Sequence, residues 1–360
     1  MQVELEIKNY RCFEGTKPAR IIIQPGFTAL VGVNNSGKSS LLRFFYEFRQ
    51  LFRQLASPGN IEAALQGNPQ GFSPPIHDLN SLFCDFNDRD IEIQFRFGKD
   101  SVVESSAPPV PNQVVITVQR GTGNWRATLH IGGRPTNFGN LSVQMRETVL
   151  HVDGNLKVEL SPMFEVCRDL SETMYVGAFR HTIQVGSAPG GYYDIQIGQA
   201  MISAWRQWKT GSTRSHNEAA IKLTNDIKQI FEFDSLANNP SPEDRNLQVF
   251  VNERSSTLPE LGSGLTQFFL VLANAAMKHP SYILIDEPEL NLHPSLQLDF
   301  LTTLASYASK GVLFSTHSIG LARAAGNKVY SVHKEPGGPS EGQVIRHTVT
   351  VRVSREIAFL

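Results

Sequence analysis

The sequence predicts an α/β fold with a mostly parallel core sheet, an antiparallel β layer and a helical subdomain. Short apolar runs at 282–285 and 312–314 are typical of buried parallel strands. Residues 89–161 instead alternate apolar and polar side chains, which is the period of half-buried antiparallel strands. Amphipathic patterns near 196–210 and 217–232 predict the helices of the subdomain.

We expect these elements to divide the chain into four segments. Residues 1–56 would form the N-terminal part of the core, and 57–172 would form the inserted antiparallel layer. Residues 173–245 would form the helical subdomain, and 246–360 would complete the core. A chain of 360 residues is long enough for one large domain or two ordinary ones.

The N-terminal part predicts strands near 3–7, 21–23 and 27–31. One helix should follow from Lys38 to about Ser57, because its leucines and phenylalanines repeat at helical spacing. Pro58 should end that helix, and residues 57–80 read as an irregular excursion rich in Gly, Pro and Asn. Residues 238–242 are also predicted to form a loop.

The strand that ends at Val31 runs into Gly-x-x-x-x-Gly-Lys-Ser over Gly32–Ser39, and a helix pattern begins at once. Glycines let the backbone wrap a phosphate chain, and the N-terminal end of the helix adds positive charge. Lys38 can reach the β- and γ-phosphates, and the Ser39 hydroxyl can bind Mg²⁺. The candidate phosphate ligands are Asn34, Asn35, Ser36, Gly37, Lys38, Ser39 and Ser40. The alternative is a glycine-rich turn that matches by chance.

Two acids follow the apolar strand Tyr282–Ile285. Asp286 would help to hold Mg²⁺, directly or through water, and Glu287 would polarise a water that attacks the γ-phosphate. The alternative is a solvated acidic turn, which the phosphate-binding loop upstream disfavours.

The strand near Val312–Phe314 ends in Ser-Thr-His-Ser, which places His317 on the rim where ligands bind to such sheets. Its imidazole could contact the γ-phosphate or the attacking water, although a lone histidine is usually structural. Leu261–Gln267 opens another helix with glycines and small residues, which predicts a second anion-binding helix start or a simple glycine-rich cap.

The overall charge of about −1 gives no general attraction to nucleic acid or to anionic membranes, so a DNA-binding surface would have to be local. The three cysteines are far apart and show no metal or disulfide spacing. No apolar run approaches the ~20 residues that a membrane span needs. Met1 leads directly into a strand pattern without a signal peptide, so we expect a cytoplasmic protein without membrane contact.

Together these motifs resemble the ATP-binding-cassette (ABC) class of ATPases, and within it the RecF/SMC/OLD-type branch of DNA-repair and anti-phage defence proteins. The resemblance is carried by Asn9–Phe13, Gly32–Ser39, Leu261–Gln267, Ile285–Glu289 and Ser315–Ser318. It implies a P-loop ABC-type core that uses ATP and Mg²⁺, with Glu287, His317 and Lys38 as catalytic residues and Ser39 and Asp286 at the metal.

Similar ATPases form head-to-tail dimers around two ATP molecules, so the resemblance implies a homodimer or a higher homo-oligomer. Ser263 and Gly264 would contact the γ-phosphate that the other subunit binds. Arg11 would approach the nucleotide phosphates, and the loop at 291–293 would contact the partner. These roles follow from matching motif positions alone.

The chain also departs from the family pattern. The signature reads Leu-Gly-Ser-Gly, which is the non-transporter form, and the glutamine-loop residue stays open between Gln94 and Gln184, with Arg180 at the equivalent strand end. About 40 residues follow His317 and contain no Asp-x-Asp pair, so we expect no Toprim nuclease domain within this sequence. Its abruptly apolar end at Leu360 leaves open a longer natural protein.

We therefore expect an ATP-hydrolysing molecular switch that dimerises around ATP and controls DNA engagement or an effector, in anti-phage defence or DNA repair. A second hypothesis is an ATP-bound scaffold that hydrolyses little and assembles a nuclease or toxin partner. A third, a small-molecule kinase, leaves Leu261–Gln267 unexplained. Trp205 and Trp208 stand beside basic residues and could stack on single-stranded nucleic acid, but we favour packing against a neighbouring element.

Overall fold

A computed structural model describes residues 2–98, 108–136, 138, 141–153, 156–178, 191–241, 246–336 and 347–353. The chain divides into two compact units. The first contains residues 1–25, 32–173 and 330–360, and the second contains residues 26–31 and 174–329. The division into four segments stays a prediction.

The strands of the described residues, in chain order, are β1 (Val3–Lys8), β2 (Ala19–Ile23), β3 (Gly26–Val31), β4 (Gln70–Gly71), β5 (Ile91–Phe97), β6 (Gln113–Val118), β7 (Asn124–Ile131), β8 (Arg134–Thr136), β9 (Val143–Arg146), β10 (Val149–Val152), β11 (Leu156–Glu159), β12 (Met174–Val176), β13 (Gly191–Tyr192), β14 (Ile195–Gln196), β15 (Leu236–Pro240), β16 (Leu247–Val251), β17 (Arg254–Thr257), β18 (Tyr282–Asp286), β19 (Gly311–Thr316), β20 (Lys328–Pro336) and β21 (His347–Val353).

The helices of the same residues are α1 (Lys38–Glu47), α2 (Arg49–Leu55), α3 (Pro58–Leu65), α4 (Ser161–Ser171), α5 (Gly198–Thr210), α6 (Arg214–Ile230), α7 (Ser263–Lys278), α8 (Pro294–Ala305) and α9 (Ile319–Ala325). Short 3₁₀ turns cover Leu79–Leu82 and Leu258–Glu260. Within the described part of the chain, no helix has the length and apolar character that crossing a bilayer requires.

The first unit is built on an antiparallel sheet with the strand order β2-β1-β5-β6-β7-β4, and β8 pairs with β7. The predicted alternation is confirmed on β5, where Ile91, Ile93 and Phe95 are fully buried. The sheet is not made of the inserted segment alone, because β5 pairs with β1 from Val3↔Phe97 to Lys8↔Glu92. Strands β9, β10 and β11 form a separate antiparallel sheet.

The helical region after the phosphate-binding loop differs from its prediction. The single helix expected up to Ser57 breaks at Phe48, where α1 ends and α2 begins. Pro58 does not end the helical region but begins α3, because proline fits the first turn of a helix, where its missing N–H would have no partner. The excursion expected over residues 57–80 therefore contains a helix. Phenylalanine rings pack between α1 and α2, where the ring centroids of Phe44 and Phe52 are 5.9 Å apart.

The second unit holds a parallel sheet with the strand order β12-β18-β19-β3. Every residue of β18 and β19 is buried, as their apolar sequences predict. The α/β fold is thus confirmed, because the described residues form both a parallel core sheet and antiparallel sheets, together with the helices.

The loop predicted over residues 238–242 overlaps strand β15, so the prediction was wrong for residues 238–240. The residues of β15 pair with β16 from Leu236↔Val251 to Pro240↔Leu247. Asn238 is 1% exposed, and its side chain accepts a hydrogen bond from Trp205 Nε1 at 2.8 Å and donates one to Thr224 at 3.0 Å. These contacts compensate for the low strand propensity of asparagine.

Candidate nucleotide-binding site

The Gly32–Gly37 loop follows β3 in the chain and ends where α1 begins. Gly37 caps the helix with φ 102°, a left-handed conformation that glycine adopts without strain. A Cβ on Gly32 would lie 2.3 Å from the backbone carbonyl oxygen of Val332 and 2.8 Å from Ser36 Oγ, so only glycine fits there. The structure therefore explains why both positions of the predicted motif require glycine.

Lys38 is buried, and its ammonium group folds back onto the loop. Its Nζ donates to the carbonyl oxygens of Gly32 at 2.8 Å and Val33 at 3.0 Å. These contacts hold a positive charge inside the turn, at the N-terminal end of α1. The arrangement suits an anion that contacts the loop from outside.

The other predicted loop ligands differ in exposure. Asn34 and Asn35 are exposed, whereas Ser39 and Ser40 are partly buried. Ser36 is fully buried, and its Oγ has no hydrogen-bond partner among the described residues. A buried hydroxyl is normally satisfied, so this orphan and the tight approach at Gly32 fit a loop shaped around a bound polyanion.

Arg11 was expected near the nucleotide phosphates, and the structure pairs it with an acid within its own unit. Its Nη2 lies 2.5 Å from Glu47 Oε1, while Tyr10 Oη donates to Glu47 Oε2 at 2.7 Å. Arg11 also adopts φ 48°, which is unusual for a residue with a side chain. Burial raises the pKa of Tyr10 well above its usual value, and the nearby Glu47 carboxylate raises it further, so the phenol stays a proton donor.

In the second unit, the ends of β18 and β19 are hydrogen-bonded to each other. Asp286 pairs with Ser315 in the parallel register, and Ser315 Oγ donates to Asp286 Oδ1. The next residue, Glu287, has φ 52°, and its N–H donates to the carbonyl oxygen of Ser315 at 3.1 Å. Backbone contacts with β19 therefore place both acids. Asp286 is only 6% exposed and Glu287 only 7%, which rules out the alternative of a solvated acidic turn.

The structure brings His317 and Glu287 together. His317 Nε2 lies 3.2 Å from Glu287 Oε1, and the imidazole is 36% exposed whereas the carboxylate is buried. The motifs predicted a separate role at the γ-phosphate for each residue and did not predict this contact. An imidazole against a carboxylate is an arrangement that can orient a general base.

Glu289 is a residue that the sequence reasoning left without a role. Its Oε1 accepts hydrogen bonds from Thr316 Oγ1 at 2.7 Å and from the His317 N–H at 2.9 Å. The sequence signal that could have identified it is its position two residues after Glu287, in the run Asp-Glu-Pro-Glu.

The predicted signature lies at the start of α7, where Ser263 is exposed and begins the helix after Gly262. A Cβ on Gly264 would lie 2.8 Å from the carbonyl oxygen of Asn291, which itself has φ 62°. The helix start and the 291–293 loop are thus in close contact within one chain.

Of the candidate glutamine-loop residues, Gln94 lies in the described part of the chain. Gln94 lies within β5, where its Oε1 accepts a hydrogen bond from Gln113 Nε2 at 2.8 Å. Gln184 and Arg180 lie outside the described residues.

The two tryptophans pack inside the second unit, as we favoured. The Trp205 ring is fully buried and lies 5.1 Å from the Phe269 ring. Trp208 is 9% exposed and stacks on His216 at 4.4 Å. Neither ring is available to stack on a nucleic-acid base.

Over the residues that the structure describes, no group of three or more His, Cys, Asp or Glu side chains could hold a metal ion by itself. Mg²⁺ bound with a nucleotide needs fewer protein ligands, because phosphate oxygens and water complete its octahedron. Hydroxyl and carboxylate oxygens, the groups that Ser39 and Asp286 were predicted to provide, are ligand types that suit it.

Comparisons with known families give two matches. Residues 1–130 match the "AAA ATPase domain" model, and residues 205–323 match the model described as "AAA domain, putative AbiEii toxin, Type IV TA system". Both matches cover predicted nucleotide-site motifs. The chain is thus similar to ATPase domains of the AAA type over these two ranges, which supports the resemblance to ABC-type ATPases.

Three solved structures are similar to this chain, and the one with a TM-score above 0.5 agrees with it in fold. An SMC head bound to the C-winged helix domain of ScpA has a TM-score of 0.52 at 14% identity, with 99% of each chain covered. The SMC head domain from Thermotoga maritima has a TM-score of 0.45 at 15% identity, covering 99% of this chain and 100% of that one. An SMC head with an extended coiled coil, bound to the C-terminal domain of ScpA derived from Pyrococcus furiosus, has a TM-score of 0.46 at 13% identity, covering 98% and 96%. No curated protein matches the sequence significantly.

Proposed function

We propose that this ATPase-family chain is an ATP-hydrolysing molecular switch with a P-loop ABC-type core. ATP would bind between two head-to-tail copies, and hydrolysis would release them. The state of the dimer would control DNA engagement or an associated effector protein in the cytoplasm. Anti-phage defence or DNA repair is the proposed setting.

The observation that carries the proposal is the common edge of three parallel strands in the second unit. β3 and β19 run in register up to Thr316↔Val31, and β18 meets β19 at Asp286↔Ser315. Parallel strands in an open α/β sheet bind ligands outside their carboxyl ends. From Val31, at the carboxyl end of β3, the chain passes directly into Gly32, the first residue of the phosphate-binding motif.

Within this proposal, the residues of the loop hold the nucleotide. Backbone N–H groups around Ser36 and Gly37, with the Lys38 ammonium, would bind the phosphates. Ser39 and Asp286 would hold Mg²⁺, which supplies neutralising charge for the phosphate oxygens. The side chains of Asn34, Asn35 and Ser40 would complete the set of nucleotide contacts.

Hydrolysis would depend on the Glu287–His317 pair. The Glu287 carboxylate would accept a proton from the attacking water, and the His317 imidazole would keep that carboxylate oriented. Positioning and charge neutralisation are expected to supply most of the rate acceleration in phosphoryl transfer.

Dimerisation is proposed from the signature. The exposed Ser263 and its neighbour Gly264 begin α7, and a helix start favours an anion such as a γ-phosphate bound by a second copy. Asn291, in contact with Gly264, would bring the 291–293 loop to the same interface. The SMC heads that share this fold bind a domain of ScpA, which supports a comparable partner protein for this chain.

Phosphate release from ATP in the presence of Mg²⁺ tests the proposal. We expect turnover by the wild type, and Glu287→Gln should lower it by about 10²–10⁴-fold while ATP binding persists. Glu218→Ala is the control, since this exposed side chain lies on α6 and pairs only with Arg214 in the described contacts. Equal turnover by wild type and Glu287→Gln would contradict the assigned base, and absence of ATP binding would contradict the proposal as a whole.

A further inference from the structure

The carboxylate of Glu289 sits at the point where the turn after β18 meets the end of β19. Its Oε1 accepts two hydrogen bonds, one from Thr316 Oγ1 at 2.7 Å and one from the His317 N–H at 2.9 Å. Thr316 Oγ1 in turn accepts from the N–H of Ser318 at 2.9 Å. One carboxylate oxygen therefore holds Thr316, the last residue of β19, and His317 after it, and Thr316 in turn holds Ser318.

These contacts determine where the His317 side chain lies. The backbone of His317 is held by Glu289, and its imidazole Nε2 reaches Glu287 Oε1 at 3.2 Å. Glu287 itself is placed independently, because its N–H donates to Ser315 O at 3.1 Å and to Ser315 Oγ at 3.2 Å. Without Glu289, Glu287 keeps its two contacts with Ser315, whereas the His317 N–H loses the acceptor that it has in Glu289.

The second carboxylate oxygen of Glu289 has a different environment. Oε2 is buried and has no hydrogen-bond partner among the described residues. Buried polar atoms are usually satisfied, so an acid that served only the stability of this turn would be expected to satisfy both oxygens. Among the described residues, Glu289 thus uses Oε1 to hold the end of β19 and His317, while Oε2 stays without a hydrogen bond.

We propose that Glu289 is a positioning residue for ATP hydrolysis, which fixes His317 against Glu287 through the His317 backbone N–H; this inference rests on the proposed function. Glu289 does not touch the reacting atoms. It acts by holding the imidazole where it orients the carboxylate of the base.

Two substitutions separate positioning from charge. Glu289→Gln keeps an oxygen that accepts the same two hydrogen bonds, whereas Glu289→Ala removes the acceptor. We expect Glu289→Ala to lower kcat by about ten- to a hundredfold, because small misplacements of catalytic groups are costly. The KM for ATP should change less than about threefold, since the phosphate-binding loop is untouched. Glu289→Gln should stay within about threefold of wild type in both constants.

A measurement without nucleotide separates this inference from the proposed function. ¹⁵N chemical shifts of the His317 ring nitrogens, assigned by comparison with His317→Ala, report the contact with Glu287 directly. They should move in Glu289→Ala towards the values of an exposed histidine and stay near the wild-type values in Glu289→Gln and in the control Glu218→Ala. Thermal unfolding of each variant shows that it is folded.

Unchanged ring shifts in Glu289→Ala would overturn the inference, whatever the ATPase activity. An unchanged kcat in folded Glu289→Ala, beside an active wild type, would overturn it as well. An equal loss of kcat in Glu289→Gln and Glu289→Ala would also overturn the inference, because it would show that the negative charge of Glu289 matters and not its acceptor oxygen. If the ring signals shift in Glu289→Ala but the wild type hydrolyses no ATP, the contact between Glu289 and His317 is real and its catalytic role is overturned. The proposed ATPase function would then fail on the wild-type measurement alone.

Discussion

Arg11 Nη2 lies 2.5 Å from Glu47 Oε1, and the carboxylate that it meets is only 4% exposed. The other oxygen of Glu47 accepts the hydrogen bond of the buried Tyr10 hydroxyl at 2.7 Å. The N-terminal motif is thus tied to the end of α1 by one shared acid. This contact gives Arg11 a structural task besides the expected one at the nucleotide.

Removing Arg11 should leave the Glu47 charge buried with only a phenol as its partner. We expect Arg11→Ala to lower the free energy of unfolding by about 1–3 kcal/mol, less than for a fully buried pair because the arginine is partly exposed. Chemical denaturation of wild type and Arg11→Ala measures this difference in the free energy of unfolding. The double variant Arg11→Ala/Glu47→Gln should recover part of the loss, and an additive double variant would contradict the coupling.

The same pair makes the role of Arg11 at ATP testable. If Arg11 also binds phosphates, its ion pair with Glu47 competes with the nucleotide. Glu47→Gln should then tighten ATP binding by about two- to tenfold, as expected for relief of a competing state. Calorimetry of ATP binding measures this. An unchanged affinity in Glu47→Gln, together with an unchanged affinity in Arg11→Ala, would confine Arg11 to a structural role.

Lys38 should be indispensable for nucleotide binding. Its ammonium group lies 2.8 and 3.0 Å from the carbonyl oxygens of Gly32 and Val33, inside the turn that would surround the phosphates. Lys38→Ala should weaken ATP binding at least about tenfold by removing a charge-assisted contact. Binding of a fluorescent ATP analogue measures the effect, with Lys17→Ala, outside the loop, as the control. Equal affinities of the two variants would show that the loop is not the phosphate site.

Gly264 and Gly262 form a matched pair at the start of α7. A Cβ on Gly264 would meet the Asn291 carbonyl oxygen at 2.8 Å, whereas a Cβ on Gly262 would meet nothing within 4 Å. Gly264→Ala should therefore cost about 1–3 kcal/mol of unfolding free energy, and Gly262→Ala should stay within about 0.5 kcal/mol. Thermal unfolding compares them, and equal effects would contradict the close contact between the helix start and the 291–293 loop.

Acid should destabilise the first unit through Glu6. Burial alone would raise the pKa of this carboxyl, but the hydrogen bond from Arg20 and the charges of Arg96, Arg20 and Lys8 outweigh it, so the pKa is lowered. A lowered pKa in the folded state means that the stabilisation is complete above the unfolded pKa of about 4.3 and is lost as the pH falls through the folded value.

Glu6→Gln should consequently flatten the loss of stability below about pH 4. Denaturation at a series of pH values measures it, and Glu4→Gln on the same strand is the control because Glu4 is 39% exposed rather than 2%. The same slope for wild type and Glu6→Gln would contradict the lowered pKa.

The core strands could be predicted because their apolar runs are local and continuous, as in β18 and β19. Helix α3 was missed because Pro58 and Gly59 signal a break, although proline also suits a helix start. β15 was missed because the partners of Asn238 come from two helices that precede it by 14 and 33 residues. Pairing of β1 with β5 joins segments more than 80 residues apart, and no local pattern encodes that register.

For the site, motif spacing predicted Lys38, Asp286, Glu287 and His317, because each belongs to a recognisable run. The contacts among side chains could not be predicted in the same way. Glu289 reaches His317 across 28 residues of sequence, and Glu47 reaches Arg11 across 36. Such long-range partners depend on the fold, and their roles become visible only when the strands are placed.

The central claim is that ATP controls the assembly of this chain, and the molecular mass in solution tests it most directly. Mass should be measured with and without ATP and Mg²⁺, for wild type and for Glu287→Gln. We predict a doubling of mass on addition of ATP, which persists longer in Glu287→Gln because hydrolysis no longer resets the dimer. A mass that is insensitive to nucleotide in both proteins would contradict the switch and favour a constitutive scaffold.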